Sequence, residues 1–310
     1  MVHARAFSFT DDSMSVAYPS AAGVTNASAI GNPLTGPHSL ESALLLFQLR
    51  YTQSCWYQEL FQSSRDPLQN SSMYLWQIFN EMRDWSESTE SETLPLAFKD
   101  FFDLELLYSY VYCLAPSCRV QAVSAYGKTL IFEYSIAYMQ KIFPISKDPI
   151  NKAFYTYHDA LRVYFVGSQF VAVLTASQDQ EQLLTGIIPF APVMAGSPPP
   201  PPLPPRSNGS DNFDRSINCM THIRETLKTF GHRWEDSQAL LRSFESQAEP
   251  LLAVLQQRKE PFDGSVSTRH NTSPPPFVQQ SSFELLGGTS GEDWQNMGSP
   301  YASSANLQQG

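Results

Sequence analysis

The sequence has few cysteines and no cluster of basic residues. Four cysteines in 310 residues are too few for a disulfide framework in a chain of this length, so we expect free thiols. The chain carries 30 acidic against 20 basic residues, a formal net charge of −10. Because binding to a phosphate backbone needs clustered cations, we expect no direct nucleic-acid binding by this chain alone.

Long apolar runs are also missing. The first 30 residues contain no apolar core behind a basic start, so they do not resemble a signal peptide. No later window holds the roughly 20 consecutive apolar residues that a membrane-spanning helix needs. We therefore expect a protein of the cell interior with no membrane partner.

Catalytic signatures are a third absence, since neither GxxxxGK[ST], GxGxxG, HExxH nor GxSxG occurs. Cys113 and Cys118 lack a second Cys or His pair nearby, whereas a zinc site needs about four converging ligands. A catalytic pair of Cys113 and His158 remains open, although both lie in apolar helical patterns that favour core packing. We expect no enzyme, no cofactor, and no catalytic, cofactor-binding or metal-binding residue.

Composition divides the chain into five parts. The middle of the chain is rich in Leu, Phe and Tyr, a later segment is rich in proline, and the C-terminal part is polar. These shifts predict an irregular lead-in (1–37), a helical domain (38–185), a proline-rich linker or loop (186–210), C-terminal helices that pack on the core (211–259) and a disordered acidic tail (260–310).

Helical periodicity dominates the folded parts. Apolar residues recur every three or four positions, and strict alternation with Asn-Gly or Asp-Gly turns is absent. We predict an all-α, irregular helical domain with a disordered proline-rich linker and a disordered tail. The predicted core helices are 39–61, 72–85, 97–115, 120–143 and 149–176, with helices at about 213–230, 234–248 and 250–257 after the prolines.

Two groups of side chains have a structural and a functional interpretation. The many aromatic residues fall at helical spacing, so they indicate a core, with a ligand cavity as the alternative. Asp100, Asp103 and Glu105 are interpreted as acidic residues that complement the dipole at a helix start, rather than as an active site.

The proline-rich segment contains PPLPPR at 201–206. This matches PxxPxR, a polyproline ligand whose arginine pairs with an acidic groove. Such matches also occur by chance in linkers. A polyproline-binding partner acting through Pro201, Pro204 and Arg206 is therefore the alternative to a plain linker.

Several short motifs, in order along the chain, share features with one family. They are Phe9-Thr10-Asp11-Asp12 with Val16 and Pro19, then Leu49, Arg50, Gln53 and Ser54 within HSLESALLLFQLRYTQS, then Trp85 with Leu94-Pro95, then Leu107-Tyr108-Ser109-Tyr110 through Pro116-Ser117, and finally the helix around Trp234. Together they resemble the regulatory domain, or middle homology region, of fungal-specific transcription factors of the zinc-cluster family. Ala115 replaces the family's usual arginine before the proline.

This resemblance implies an all-α regulatory portion of a nuclear transcription activator, one similar to regulators of polyketide and other secondary-metabolite gene clusters. The family's six-cysteine DNA-binding head is not in this sequence, which suggests a truncated gene product or a regulator without its own head. The tail 260–310 is then expected to contact coactivators or the transcription machinery, and homodimer formation is left open. The alternatives are a small-molecule-binding protein or enzyme with an aromatic-lined cavity, and a scaffold docking through PPLPPR.

Overall fold

Apolar residues at helical spacing build α-helices throughout the part of the chain that the computed structural model describes, which is 38–90, 96–150, 155–206 and 211–259. No strand occurs in these ranges, so the prediction of an all-α fold is confirmed. The elements are α1 (His38–Tyr57), a π-helical turn (Gln58–Gln62), α2 (Ser71–Glu90), α3 (Leu96–Leu114), α4 (Ala125–Lys147), α5 (Tyr157–Thr175), α6 (Ser177–Thr185), α7 (Asn212–Gly231) and α8 (Asp236–Lys259).

The chain divides into two units, Met1–Pro261 and Phe262–Gly310. All described helices belong to the first unit. The lead-in 1–37 and the acidic tail 260–310 lie outside the described residues.

Two predicted helix boundaries are wrong because proline does not end the helix at either position. Helix α4 continues past Pro144 to Lys147, and α8 contains Pro250. Proline removes one N–H donor but keeps its carbonyl, and the Asp148 N–H donates to the Pro144 carbonyl at 3.2 Å.

A capping box sets the start of α5. This helix begins at Tyr157 instead of near Pro149. The Thr156 N–H donates to the Asp159 carboxylate at 2.7 Å, which satisfies a backbone donor at the helix start. The short helix α6 was not predicted.

The helices pack as two connected groups. Helices α1, α2 and α3 contact one another, and α3 packs on α4. Helix α4 then packs on α7, and α5 packs on both α7 and α8. Gly167 permits one close approach, since a Cβ atom there would lie 2.9 Å from Ile223 Cγ2 on α7. The largest side chains at the centre of the core are Trp56, Trp76, Tyr138, Phe132, Phe170 and Phe244.

Among the described helices, none is long and apolar enough to cross a membrane.

Candidate functional site

The proline-rich segment lies against the helices and is held there by aromatic side chains. We call residues 192–206 the proline strap. The Trp76 indole N–H donates to the Pro192 carbonyl at 2.8 Å. The Tyr126 and Tyr134 hydroxyls each donate at 2.7 Å, to the Pro201 and Pro202 carbonyls respectively.

These bonds correct the expectation of a disordered linker. Polyproline has carbonyl acceptors but no N–H donors, so it cannot form a backbone ladder with a neighbour. Side-chain donors can still bind its carbonyls, and the tyrosine hydroxyls and the tryptophan indole supply them. Residues 192–206 are consequently an ordered part of the first unit, although they form neither helix nor strand.

Burial along the strap repeats every three residues. Pro201 is buried, and Pro198 and Pro204 are half-buried, whereas Pro199, Pro202 and Pro205 are all exposed. A polyproline II helix has three residues per turn. One row of prolines therefore faces the helices and a second row faces solvent.

The strap ends in an ion pair with a buried carboxylate. Arg206 Nη2 lies 2.9 Å from Glu133 Oε1, and the Glu133 side chain is 1% exposed while that of Arg206 is 40% exposed. Arg215 on α7 donates to both oxygens of the same carboxylate, at 3.0 and 2.5 Å. The Arg215 Nη1 also donates to Asn212 Oδ1 at 2.7 Å.

The three aromatic side chains that bond to the strap belong to a set of neighbouring rings that we call the aromatic groove: Trp76 and Phe79 from α2, Tyr110 from α3, and Tyr126 and Tyr134 from α4. Phe79 stacks on Tyr110 with ring centroids 4.4 Å apart. Tyr134 lies 4.8 Å from Tyr110, and Trp76 meets Tyr126 edge-on at 6.0 Å. Burial raises the pKa of both Tyr126 and Tyr134, so their hydroxyls stay protonated as donors.

A second buried carboxylate, Glu105, joins three helices. Its oxygens accept from Arg162 on α5 at 2.7 Å and from Arg50 on α1 at 2.8 Å. Burial alone would raise the pKa of Glu105, but Arg162 and Arg50 favour the charged form and hold this pKa below its usual range. The prediction that Glu105 complements a helix start is wrong, because it lies mid-helix and is 1% exposed.

Two of the motifs that carry the family resemblance are linked to this carboxylate. Arg50 also donates to Gln53 at 2.7 Å, and Gln53 donates to Ser109 at 2.7 Å. The LR..QS motif on α1 and the LYSY motif on α3 thus form one buried network. The Trp85 indole N–H donates to the Leu45 carbonyl on α1 at 2.8 Å.

Three further sequence candidates are Cys113, Cys118 and His158. Burial raises the pKa of the Cys113 thiol well above its usual value, which keeps it protonated, and Cys118 is exposed. Burial also lowers the pKa of His158. No group of three or more metal-ligating side chains occurs within the described ranges.

The sequence patterns do not identify most of the residues that bond to the strap. Helical spacing indicates a core role for Tyr126, and no sequence pattern singles out Glu133 or Tyr134. The strap contacts join residues 68 to 116 positions apart, and helical periodicity does not report such pairs. The match to PxxPxR predicts that Arg206 pairs with an acidic groove of a binding partner, and in the structure Arg206 pairs with Glu133 of its own chain.

Comparisons with protein-family models, with curated proteins and with solved structures find no match to this chain. The resemblance to fungal transcription regulators therefore rests on the sequence motifs and stays a prediction.

Proposed function

We propose that this chain is the all-α regulatory portion of a fungal transcription regulator, acting in the nucleus as an activator of a secondary-metabolite gene cluster of the polyketide type. In this proposal the helices form a scaffold for protein interactions. DNA contact belongs to another chain or segment, because this chain has a net charge of −10 and phosphate binding needs clustered cations.

The observation that supports the proposal is that two of the resemblance motifs are joined by hydrogen bonds around Glu105. Arg50 and Gln53 belong to one motif and Ser109 to another, and a chain of hydrogen bonds of 2.7 to 2.8 Å joins them to the Glu105 carboxylate. Motif residues that are distant in sequence therefore share one structural role. This is expected when separate motifs belong to a single ancestral fold, and chance matches have no reason to converge.

The alternative of a small-molecule-binding protein or enzyme has less support. The aromatic side chains that would line its cavity pack on one another instead, as Tyr112 does on Phe165 with ring centroids 4.7 Å apart. Two cavities between the helices measure about 140 and 100 Å³, whereas ligand pockets usually measure about 300–1,000 Å³.

A tethering assay tests the proposal. The full chain, fused to an unrelated DNA-binding domain in a fungal host, is expected to raise transcription of a reporter several-fold above the DNA-binding domain alone. A fluorescent tag on the same fusion reports its location, which we expect to be nuclear. Unchanged reporter transcription from a stably expressed, nuclear fusion would overturn the proposal.

Variants of the tail 260–310 test its proposed role as the contact to the transcription machinery. Replacing Phe283, Leu285, Leu286 and Trp294 with alanine should remove most of the activation, because apolar anchors contribute about 1.5–3 kcal/mol each. The matched control replaces four polar neighbours with alanine, at Gln279, Gln280, Ser281 and Ser282. Equal losses from both variants would contradict a role for the anchors.

A further inference from the structure

The aromatic groove has three features suited to a proline-rich ligand. Its donors are ring-borne O–H and N–H groups directed at proline carbonyls, in hydrogen bonds of 2.7 to 2.8 Å. Such donors satisfy a ligand that has only acceptors on its backbone. Aromatic-lined surfaces of this kind are the usual means by which proteins bind polyproline II segments.

The second feature is the orientation of the ligand. Polyproline can bind in either direction along a groove, so an end charge is needed to fix its polarity. Here Arg206 at the C-terminal end pairs with Glu133 at 2.9 Å. The carboxylate is already positioned by Arg215, which donates to both of its oxygens.

The third feature is that the strap contacts the groove as a separable ligand would. One row of prolines, Pro198, Pro201 and Pro204, faces the helices, a second row is exposed, and Pro200 and Leu203 between them are half-buried. Upstream of the strap, α6 ends at Gly186, whose φ of 73° is in the left-handed region. A second glycine, Gly196 with φ 82°, forms a turn just before the proline run.

We propose that the aromatic groove is a binding site for proline-rich segments that end in arginine. The strap occupies this site as an intramolecular ligand, and the corresponding segment of another protein binds when the strap is displaced. This inference goes beyond the proposed function and does not depend on it. The sequence-based alternative is that a partner protein binds Pro201, Pro204 and Arg206. In this proposal the aromatic groove of the chain itself binds them.

The attachment of the strap determines how the site should behave. A tethered ligand has an effective concentration of the order of millimolar, so it outcompetes a free peptide of ordinary affinity. The wild-type chain is therefore expected to bind an added peptide weakly, and a chain without the proline run is expected to bind it well.

The experiment uses the full chain with residues 198–206 replaced by a Gly/Ser sequence of equal length. The probe is a fluorescent peptide of sequence PPPPPLPPR, the segment 198–206, and binding is measured by anisotropy. We expect saturable binding that is at least about tenfold tighter than to the wild-type chain, because the tethered competitor is gone. No saturable binding to a variant with wild-type helical circular dichroism would overturn the proposal.

Two altered peptides provide a matched control, since each loses three prolines. Pro198→Ala, Pro201→Ala and Pro204→Ala together remove the inward row, and Pro199→Ala, Pro202→Ala and Pro205→Ala together remove the exposed row. The first peptide should bind more weakly than the second. Equal affinities would mean that the groove does not distinguish the inward row of prolines from the exposed row, which contradicts the proposal.

Two single changes test the polar contacts. Tyr134→Phe in the strap-replaced chain should lower the affinity for the original peptide about two- to tenfold, because one hydrogen bond is lost. The peptide with Arg206→Ala should also bind more weakly. Unchanged affinity in both cases would contradict the assigned contacts.

A second protein variant guards against loss of the fold on replacing the whole run. Pro204→Gly with Arg206→Ala leaves the Pro201 and Pro202 carbonyls in place while weakening the strap's hold. Its affinity for the peptide should lie between those of the wild-type and strap-replaced chains. Peptide binding no tighter than that of the wild-type chain, in this variant with its helical circular dichroism retained, would also overturn the proposal.

Discussion

Glu105 and Glu133 are both buried carboxylates bound by two arginines, yet they connect different kinds of structure. Each is 1% exposed, and each has one arginine at the protein interior, Arg162 or Arg215. The second arginine differs in setting. Arg50 lies on a helix and is 28% exposed, whereas Arg206 ends the proline strap and is 40% exposed.

The same arrangement of one carboxylate and two arginines therefore occurs both between packed helices and at the end of a non-helical segment. Around Glu105 all partners belong to helices that bury large apolar surfaces on each other, so the charges separate when those helices unpack. Around Glu133 one partner, Arg206, belongs to the proline strap, whose carbonyls accept hydrogen bonds from side chains of the helices. The strap can therefore leave while Arg215 continues to neutralise the carboxylate.

The largest expected effect comes from Glu105→Ala. It leaves the buried Arg162 and its neighbour Arg50 without their shared carboxylate, and breaking a buried pair in this way costs about 3–5 kcal/mol. Chemical denaturation should show this loss in the free energy of unfolding. Asp103→Ala on the same helix is the control, since its bond to Lys141 is largely exposed and should cost about 0–1 kcal/mol. Similar losses in both variants would mean that Glu105 is not the centre of this network.

Acid should produce a smaller loss by protonating the same group. The pKa of Glu105 is lower in the folded than in the unfolded protein, so the unfolded chain takes up this proton first as pH falls. The contribution of Glu105 to stability is present above its unfolded pKa of about 4.3 and is lost as pH falls through its folded pKa. Unfolding curves below about pH 5 should be less pH-dependent for Glu105→Gln than for the wild-type chain, and parallel curves would contradict the assignment.

Tyr134→Phe should loosen the strap without affecting the Glu105 side. It removes the hydrogen bond to the Pro202 carbonyl, which shifts local opening by about 0.5–1.5 kcal/mol. The indole N–H of Trp76 bonds to the strap and that of Trp85 bonds to α1, so each reports one region. Hydrogen exchange followed by NMR should be faster at Trp76 and unchanged at Trp85. Equal acceleration at both indoles would show that the two regions open together.

The smallest effect is expected for Arg206→Ala. This ion pair is partly exposed, and such pairs contribute about 0–1 kcal/mol. Exchange at the Trp76 indole should increase less than for Tyr134→Phe. Arg50→Ala is the matched control on the other carboxylate and should leave Trp76 exchange unchanged. A larger effect of Arg206→Ala than of Tyr134→Phe would mean that the ion pair with Glu133 stabilises the bound strap more than the Tyr134 hydrogen bond does.

The sequence predicted the all-α fold and most helix cores, because burial of apolar stripes leaves a period that can be counted. It located α3 within one residue at each end and found the region of α7. Boundaries near prolines failed, since Pro144 and Pro250 lie inside helices whose packing outweighs one missing hydrogen bond. The site was less predictable. Its groove depends on which tyrosine hydroxyls reach a segment about 70 positions away, and spacing along one helix carries no information about that.

The reach of the strap has a consequence for the order of folding. The Glu105 network closes loops of 55 to 57 residues, and the strap bonds join residues 68 to 116 apart. Longer closures cost somewhat more chain entropy, but the stronger constraint is that the groove does not exist until α2, α3 and α4 have assembled. The strap contacts are thus expected to form only after these three helices have assembled, and to open locally before the helical body unfolds.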